Sequence, residues 1–422
     1  MSAIERLESR VRSYSRTFPA VFARARGSLL FDAEGRRYID FFSGAGALNY
    51  GHNDPAMKAA VIEYLESDGV VHGLDLATCA KEAFLERFEA VVLRPRGLDY
   101  KVQFVGPTGA NGVEAALKLA RLVTGRRTLV AFTNSYHGLS AGALAVTASR
   151  YHRHEAFGLG APVVFLPFDG FLGPDVDTMA YARQMVLGRG GGIDPPAAVV
   201  VETIQAEGGV NVARPEWLLE LERLCRDCGA LLIVDDIQVG CGRAGAFFSF
   251  ERAGIRPDLV VLSKSISGFG LPMALVLLRP ELDQWQPGQH AGTFRGNNLA
   301  FVTAAEALRR WETAEFAHSI ERKGRRVAER LHAIRERHPE LRARVRGLGL
   351  IHGLELADAP VCQAVTREAF ARGLILERCS PDGNVLKLLP PLVIEDPLLE
   401  EGLDRVEEAV AAAATPGAAP RP

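Results

Sequence analysis

The sequence predicts an α/β fold: a large domain with a mostly parallel central sheet flanked by helices, and a smaller α+β domain beside it. Three observations predict it. Short, near-continuous apolar runs ("TLVAF", "PVVFLP", "AAVVVE", "LLIVDD", "LVVLSK") alternate with longer helical patterns between about residues 100 and 265, as parallel strands covered on both faces require. After about residue 300 the texture changes to charged amphipathic helices followed by further short strands. A chain of 422 residues also exceeds what one small core organises, so two domains are the natural division. The expected boundaries are 1–60 for an N-terminal segment joining the small domain, 61–299 for the large domain and 300–422 for the C-terminal small domain.

The elements follow in order. "MSAIERLESRVRSYSR" mixes charges throughout and has no apolar h-region, so no secretory signal is expected there. "LLFDAEGRRYIDF" reads as a hairpin that joins the smaller unit. "GPTGANG" leads into a helix from about Val113. "EWLLELERLCRDCGALLIV" reads as an amphipathic helix ending at Gly229, then a strand. Its Cys225 and Cys228 have C-x-x-C spacing, but no second pair or suitably placed histidines follow, so core packing is expected and no metal site. "AFVTAAEALRRW" and "SIERKGRRVAERLHAIRERHP" are amphipathic helices, and "VRGLGLIHGLEL", "GLILERC" and "NVLKLLPPLVI" are strands of the smaller unit. The closing "AAAATPGAAPRP" reads as a frayed tail.

Composition narrows the function classes. A formal net charge of −2 gives no electrostatic reason to expect nucleic acid or an anionic membrane as partner. No window approaches 18 uncharged apolar residues, which argues against a membrane span. Six irregularly spaced cysteines in so long a chain do not form a disulfide framework, and a cytoplasmic protein is expected.

In open α/β sheets ligands sit beyond the carboxyl ends of the strands. Glu202 ends "AAVVVE", Asp235 ends "LLIVD", Ser263 and Lys264 end "LVVLSK", and Tyr136 and His137 follow "TLVAF". Gly106, Gly109 and Gly112, with Thr108 among them, open the first long helix. Backbone amides and a hydroxyl at a helix N-terminus suit phosphate, although the loop matches neither nucleotide fingerprint and an ordinary glycine-rich turn is the alternative. Lys264 can snorkel to solvent or, desolvated and of lowered pKa, form an imine with a carbonyl. A buried Asp235 demands a positive or hydrogen-bonding partner. An acid and an imine-forming lysine on adjacent strands meet the needs of pyridoxal 5′-phosphate, whose pyridinium the acid would pair.

These residues carry a resemblance. "LLIVDDIQVGCGR" resembles the D-E-x-Q-x-G-x-G-R segment of class III (ω) aminotransferases, "LSKSISG" their lysine motif, and "VETIQAEGG" their E-P-x-Q-G-E-G-G loop. "HAGTFRGNNLA" is similar to their H-x-x-T-F-x-G-N segment, and "YHG" is shared. The likeness runs from about residue 20 to 400 in the family's order. It implies fold type I of the pyridoxal-phosphate-dependent transferases, a homodimer or higher homo-oligomer with shared active sites, amino acid and keto acid substrates, and no metal. By resemblance Lys264 is the imine lysine and proton shuttle, Asp235 the pyridinium partner, and Gln238 the residue beside the ring's phenolic oxygen. Thr108, Gly109 and Ala110 hold the phosphate, Tyr136 stacks on the ring with His137 beside it, and Thr293 reaches the phosphate of the neighbouring subunit. Glu202 matches the glutamate that helps switch between amine donor and 2-oxoglutarate.

Departures are informative. Thr203 and Ala206 replace a proline and a glycine, Lys387 stands where many relatives carry a carboxylate-binding arginine, and Arg295 where glycine is usual. Lysine is a point charge rather than a fork, so the carboxylate binder stays open among Arg295, Lys387 and others; Asp75 is one acid available for a substrate α-ammonium. Segments such as "RVRSYSRTFPAVF", "LNYGHNDP" and "DGVVHGLDLAT" resemble the members of the family that act on diaminobutyrate. The implied reaction interconverts L-2,4-diaminobutyrate and 2-oxoglutarate with L-aspartate 4-semialdehyde and L-glutamate, in ectoine biosynthesis. The alternatives are another ω-aminotransferase, acting on ornithine, acetylornithine or 4-aminobutyrate, an aminomutase, or a non-catalytic cofactor-binding protein.

Overall fold

The computed structural model describes residues 3–414. Among these, seven strands form the central sheet, in the order Lys101–Phe104, Leu275–Leu278, Leu259–Leu262, Leu231–Asp235, Ala198–Val201, Leu129–Phe132, Val163–Leu166. All pair in parallel from Leu259–Leu262 onward. Leu275–Leu278 runs antiparallel to both of its neighbours. The five apolar runs read from sequence are therefore strands, and Leu231–Asp235 lies directly beside Leu259–Leu262. That adjacency delivers Asp235 and Lys264 to the same edge.

Helix Gly109–Thr124 begins four residues earlier than the glycines suggest, because Thr108 caps it: its Oγ1 accepts the Asn111 N–H at 3.2 Å. Helix Pro215–Cys228 ends at Gly229, whose φ of +67° is the left-handed cap expected there. Cys225 is buried in the core, and the Cys228 thiol contacts the Cys225 carbonyl at 3.5 Å.

The predicted hairpin forms between Leu29–Asp32 and Arg37–Asp40, and Arg37–Asp40 pairs in parallel with Leu374–Ile375. A second sheet orders Arg344–Leu348, Ile351–Glu355, Val385–Leu388 and Glu377–Cys379, all antiparallel. The run "GLILERC" is thus not one strand but two, shared between sheets at Leu376. The split sets Glu377 opposite Lys387 across the ladder. Helix Asp396–Ala414 takes in the first four residues of the expected tail, and residues 415–422 lie outside the described residues. One apolar cluster runs through the molecule, from Phe132 and Trp217 (ring centroids 5.1 Å apart) to Phe41 and Leu403.

Candidate active site

A cavity of about 290 Å³ opens at the carboxyl ends of the parallel strands. Gly109, Ala110, Tyr136, His137, Glu202, Asp235, Gln238 and Lys264 all line it, so the sheet gathers residues that are far apart in sequence.

Asp235 ends its strand, is 4% exposed and spends one oxygen on each of two donors. His137 Nδ1 donates to Oδ2 at 2.8 Å, and the Ile237 N–H donates to Oδ1 at 3.1 Å. Burial works against a charged His137, yet its hydrogen bond with Asp235 holds its pKa above the ordinary value. Asp236, the adjacent acid, turns the other way and accepts the Ser249 N–H at 3.1 Å. Strand alternation therefore separates the pair, one acid to the cavity and one to the core.

Lys264 follows Leu259–Leu262 after extended Ser263, and its φ of +53° is left-handed, a conformation uncommon for a side-chain-bearing residue. Strain at a cavity residue is held by the surrounding structure. Burial lowers its amine's pKa, with Glu207 opposing. Glu202 is buried, and its Oε1 accepts the Tyr136 N–H at 2.9 Å. Burial pushes its carboxyl up to about 8.

Other expected site residues stand elsewhere. Thr108 caps its helix rather than lining the cavity, as described above. Thr293 and Asp75 are exposed and Arg295 is partly buried; Asp75 and Arg295 both act electrostatically on Lys81, outside the cavity. Lys387 is fully buried, with Nζ 2.6 Å from Glu207 Oε1 and 3.1 Å from Glu377 Oε1. It also donates to Gln238 Oε1 at 3.2 Å. A cation enclosed by two carboxylates is not an open seat for a third.

Sequence reasoning missed Glu207, Glu377 and Tyr14. Glu207 lines the cavity and accepts from Gln238 Nε2 at 3.0 Å. Burial alone would raise its carboxyl, but Lys387 and Lys264 bring it down to about 2. Glu202, expected as the switching glutamate, does not touch Lys387; Glu207 does. Tyr14 packs on Phe42 with centroids 4.8 Å apart, and its phenol is raised by burial and by Glu377 and Glu207. The available signal was Lys387 itself: a lysine inside "NVLKLLPP" needs an acid, because a buried unpaired charge is prohibitive.

The donor set fits a phosphorylated pyridine aldehyde. Gly109 and Ala110, the first residues of helix Gly109–Thr124, line the cavity, a helix start suited to an anion, and a Cβ at Gly109 would lie 2.7 Å from the Ile237 side chain. A buried carboxylate suits a protonated ring nitrogen, and a desolvated amine suits an aldehyde. These features define a pyridoxal-phosphate site on an α/β transferase fold. The sequence profile of the class-III aminotransferases matches residues 11–410, and the chain belongs to that family, whose cofactor is pyridoxal 5′-phosphate.

Among relatives, the chain is 54% identical over 410 residues to a diaminobutyrate--2-oxoglutarate transaminase of Wolinella succinogenes, covering 97% of this chain and 96% of that one. A protein of the same name from Bordetella parapertussis is 55% identical over 413 residues, covering 97% and 95%. Among solved structures, the ornithine aminotransferase of Toxoplasma gondii superposes with a TM-score of 0.84 at 27% identity, over 97% of this chain and 93% of that one.

Proposed function

We propose that this aminotransferase moves the terminal amine between L-2,4-diaminobutyrate with 2-oxoglutarate and L-aspartate 4-semialdehyde with L-glutamate, and that it serves ectoine biosynthesis in the cytoplasm. The observation that carries the reading is likeness of more than half the residues, along nearly the whole chain, to transaminases named for that substrate pair. Six free thiols fit a reducing compartment.

When bound, pyridoxal phosphate supplies a carbonyl carbon that receives the amine and a ring that draws off electrons. The chain's residues do the rest. Gly109 and Ala110 would hold the phosphate through their backbone N–H groups. Asp235, fixed by His137 and the Ile237 amide, would balance the positive charge of the ring nitrogen, and Tyr136 would cover the ring. Lys264 Nζ, kept unprotonated by desolvation, takes the proton from the substrate carbon that bears the amine. Glu207, held ionised by Lys387, faces Lys264 across the cavity and receives the α-ammonium of diaminobutyrate.

The active unit of this reading is a homodimer, with domains dividing near residues 60 and 300. Val70, Val71, Leu74, Leu76 and Phe294 are all at least 47% exposed, and His72 stacks edge-on to Phe294 at 5.3 Å. An apolar patch of this kind marks an interface, and Thr293 beside it would reach the partner's phosphate seat. The function is tested by incubating holoenzyme with L-glutamate and L-aspartate 4-semialdehyde and quantifying diaminobutyrate. Stoichiometric diaminobutyrate and 2-oxoglutarate support it; amination of glutamate 5-semialdehyde at a higher kcat/KM contradicts it in favour of an ornithine enzyme.

A further inference from the structure

Behind the cavity wall lies a buried group that the chemistry above does not use. Glu377 is 5% exposed, stands directly across the ladder from Lys387, and approaches its Nζ at 3.1 Å. Its Oε1 has no hydrogen-bond partner of good geometry among the described residues. Lys387 therefore has two counter-ions, Glu207 on the cavity side and Glu377 behind. One positive and two negative charges leave this wall with a single net negative charge when both acids are ionised.

We infer that Glu377 is a positioning residue that sets the charge of this wall: ionised, it favours the substrate bearing an α-ammonium, and it takes up a proton when the dicarboxylate substrate docks. The inference deepens the proposed function and rests on it. Its physical basis is the alternation the reaction demands. One half-reaction presents an ammonium to Glu207, and the other presents the second carboxylate of glutamate or 2-oxoglutarate to the same wall. With Glu377 charged, that carboxylate would be the third anion around one lysine. Moving a proton from solvent onto Glu377 removes the excess, leaving Lys387 to balance Glu207, so that the newcomer meets a wall of zero net charge rather than −1. No residue need leave the wall: the proton alone takes its net charge from −1 to 0.

The surroundings agree. Burial raises the Glu377 carboxyl, Lys387 lowers it and Glu207 raises it again, leaving it at about 7. Glu207 stays ionised well below that, so Glu377 is the member of the trio that titrates near neutrality. The other titratable groups facing it are Tyr14, Lys264 and Cys379; the Tyr14 phenol and the Cys379 thiol are both pushed up, first by burial, and are neutral in this range. The acid is neutral below about pH 7 and charged above it, so dicarboxylate affinity should fall as pH rises, up to tenfold per unit for one linked proton. Diaminobutyrate affinity should move the other way.

The test is calorimetry of glutarate, an unreactive five-carbon dicarboxylate, binding to the holoenzyme in two buffers of different ionisation heat. Cofactor absorbance is followed in parallel, because it reports any proton gained at Lys264. The expected result at about pH 8 is proton uptake approaching one per site without a matching colour change, declining toward pH 6. Glu377→Gln should abolish that uptake and lower the ratio of KM for 2-oxoglutarate to KM for diaminobutyrate on the order of tenfold, with a smaller change in kcat. No uptake in the wild type, uptake fully accounted for by the colour change, or undiminished uptake in the variant each overturns the inference. A holoenzyme that takes up the proton but leaves diaminobutyrate untouched would instead count against the proposed substrate.

Discussion

At the scale of single residues, the site is a set of buried charges that compensate each other. On the proposed reading Lys264→Ala should reduce turnover by at least about 10⁴-fold, since the amine proposed to carry the cofactor and to move the proton would be gone. Cofactor should remain with that variant non-covalently and be removable by gel filtration. Asp235→Ala should lose turnover and hold cofactor weakly, measured as a raised Kd, because His137 and the ring nitrogen would then lack a counter-charge. Full activity in either variant contradicts the assignment. Much of this was legible in sequence: Glu202, Asp235, Tyr136, His137 and Lys264 sit where apolar runs end, and the strand order brings them into one cavity. Glu207 and Glu377 were not, because nothing local says which acid neutralises a lysine some 180 residues away for the first of them. The loop carrying Glu207 offers two glutamates to a motif reader, and only the fold tells which one meets Lys387.

At the scale of elements, a few close approaches set the geometry that the site depends on. Helix Glu315–Arg337 crosses the Arg344–Leu348/Ile351–Glu355 hairpin at Gly324, where a Cβ would stand 2.2 Å from the Gly349 carbonyl oxygen. Gly349 in turn has a φ of +60° and is pressed against the backbone of Arg243 and Ala244. Gly324→Ala should therefore destabilise by about 1–3 kcal/mol through overpacking, although alanine in a helix interior would otherwise gain about 1 kcal/mol. Chemical denaturation midpoints of the two proteins measure this, and an unchanged or raised midpoint would contradict the packing described. The apolar runs read from sequence announced five of the seven strands of the central sheet; Leu275–Leu278, as apolar as Leu259–Leu262, was not among them, and only its pairings show that it runs the other way. The splitting of "GLILERC" at Leu376 was equally hidden, since both halves remain extended and only their partners differ.

At the scale of the whole molecule, the exposed apolar residues around Phe294 should be covered by a second copy. Sedimentation equilibrium should give twice the 45.7 kDa chain mass or a higher even multiple, and Thr293→Ala should weaken cofactor binding without changing that mass. A monomer with full activity would contradict the shared site. The central claim, that this cavity carries amine exchange on diaminobutyrate and glutamate, is tested most directly by single-turnover absorbance. Purified holoenzyme, with no keto acid present, is mixed separately with L-2,4-diaminobutyrate, L-glutamate, L-ornithine and 4-aminobutyrate, and the change in the cofactor's visible band is timed. Fast conversion by diaminobutyrate and glutamate, with the other two at least about tenfold slower, is the predicted result. Faster conversion by ornithine or 4-aminobutyrate would contradict the substrate assignment, and no conversion by any amine would contradict the account of the site.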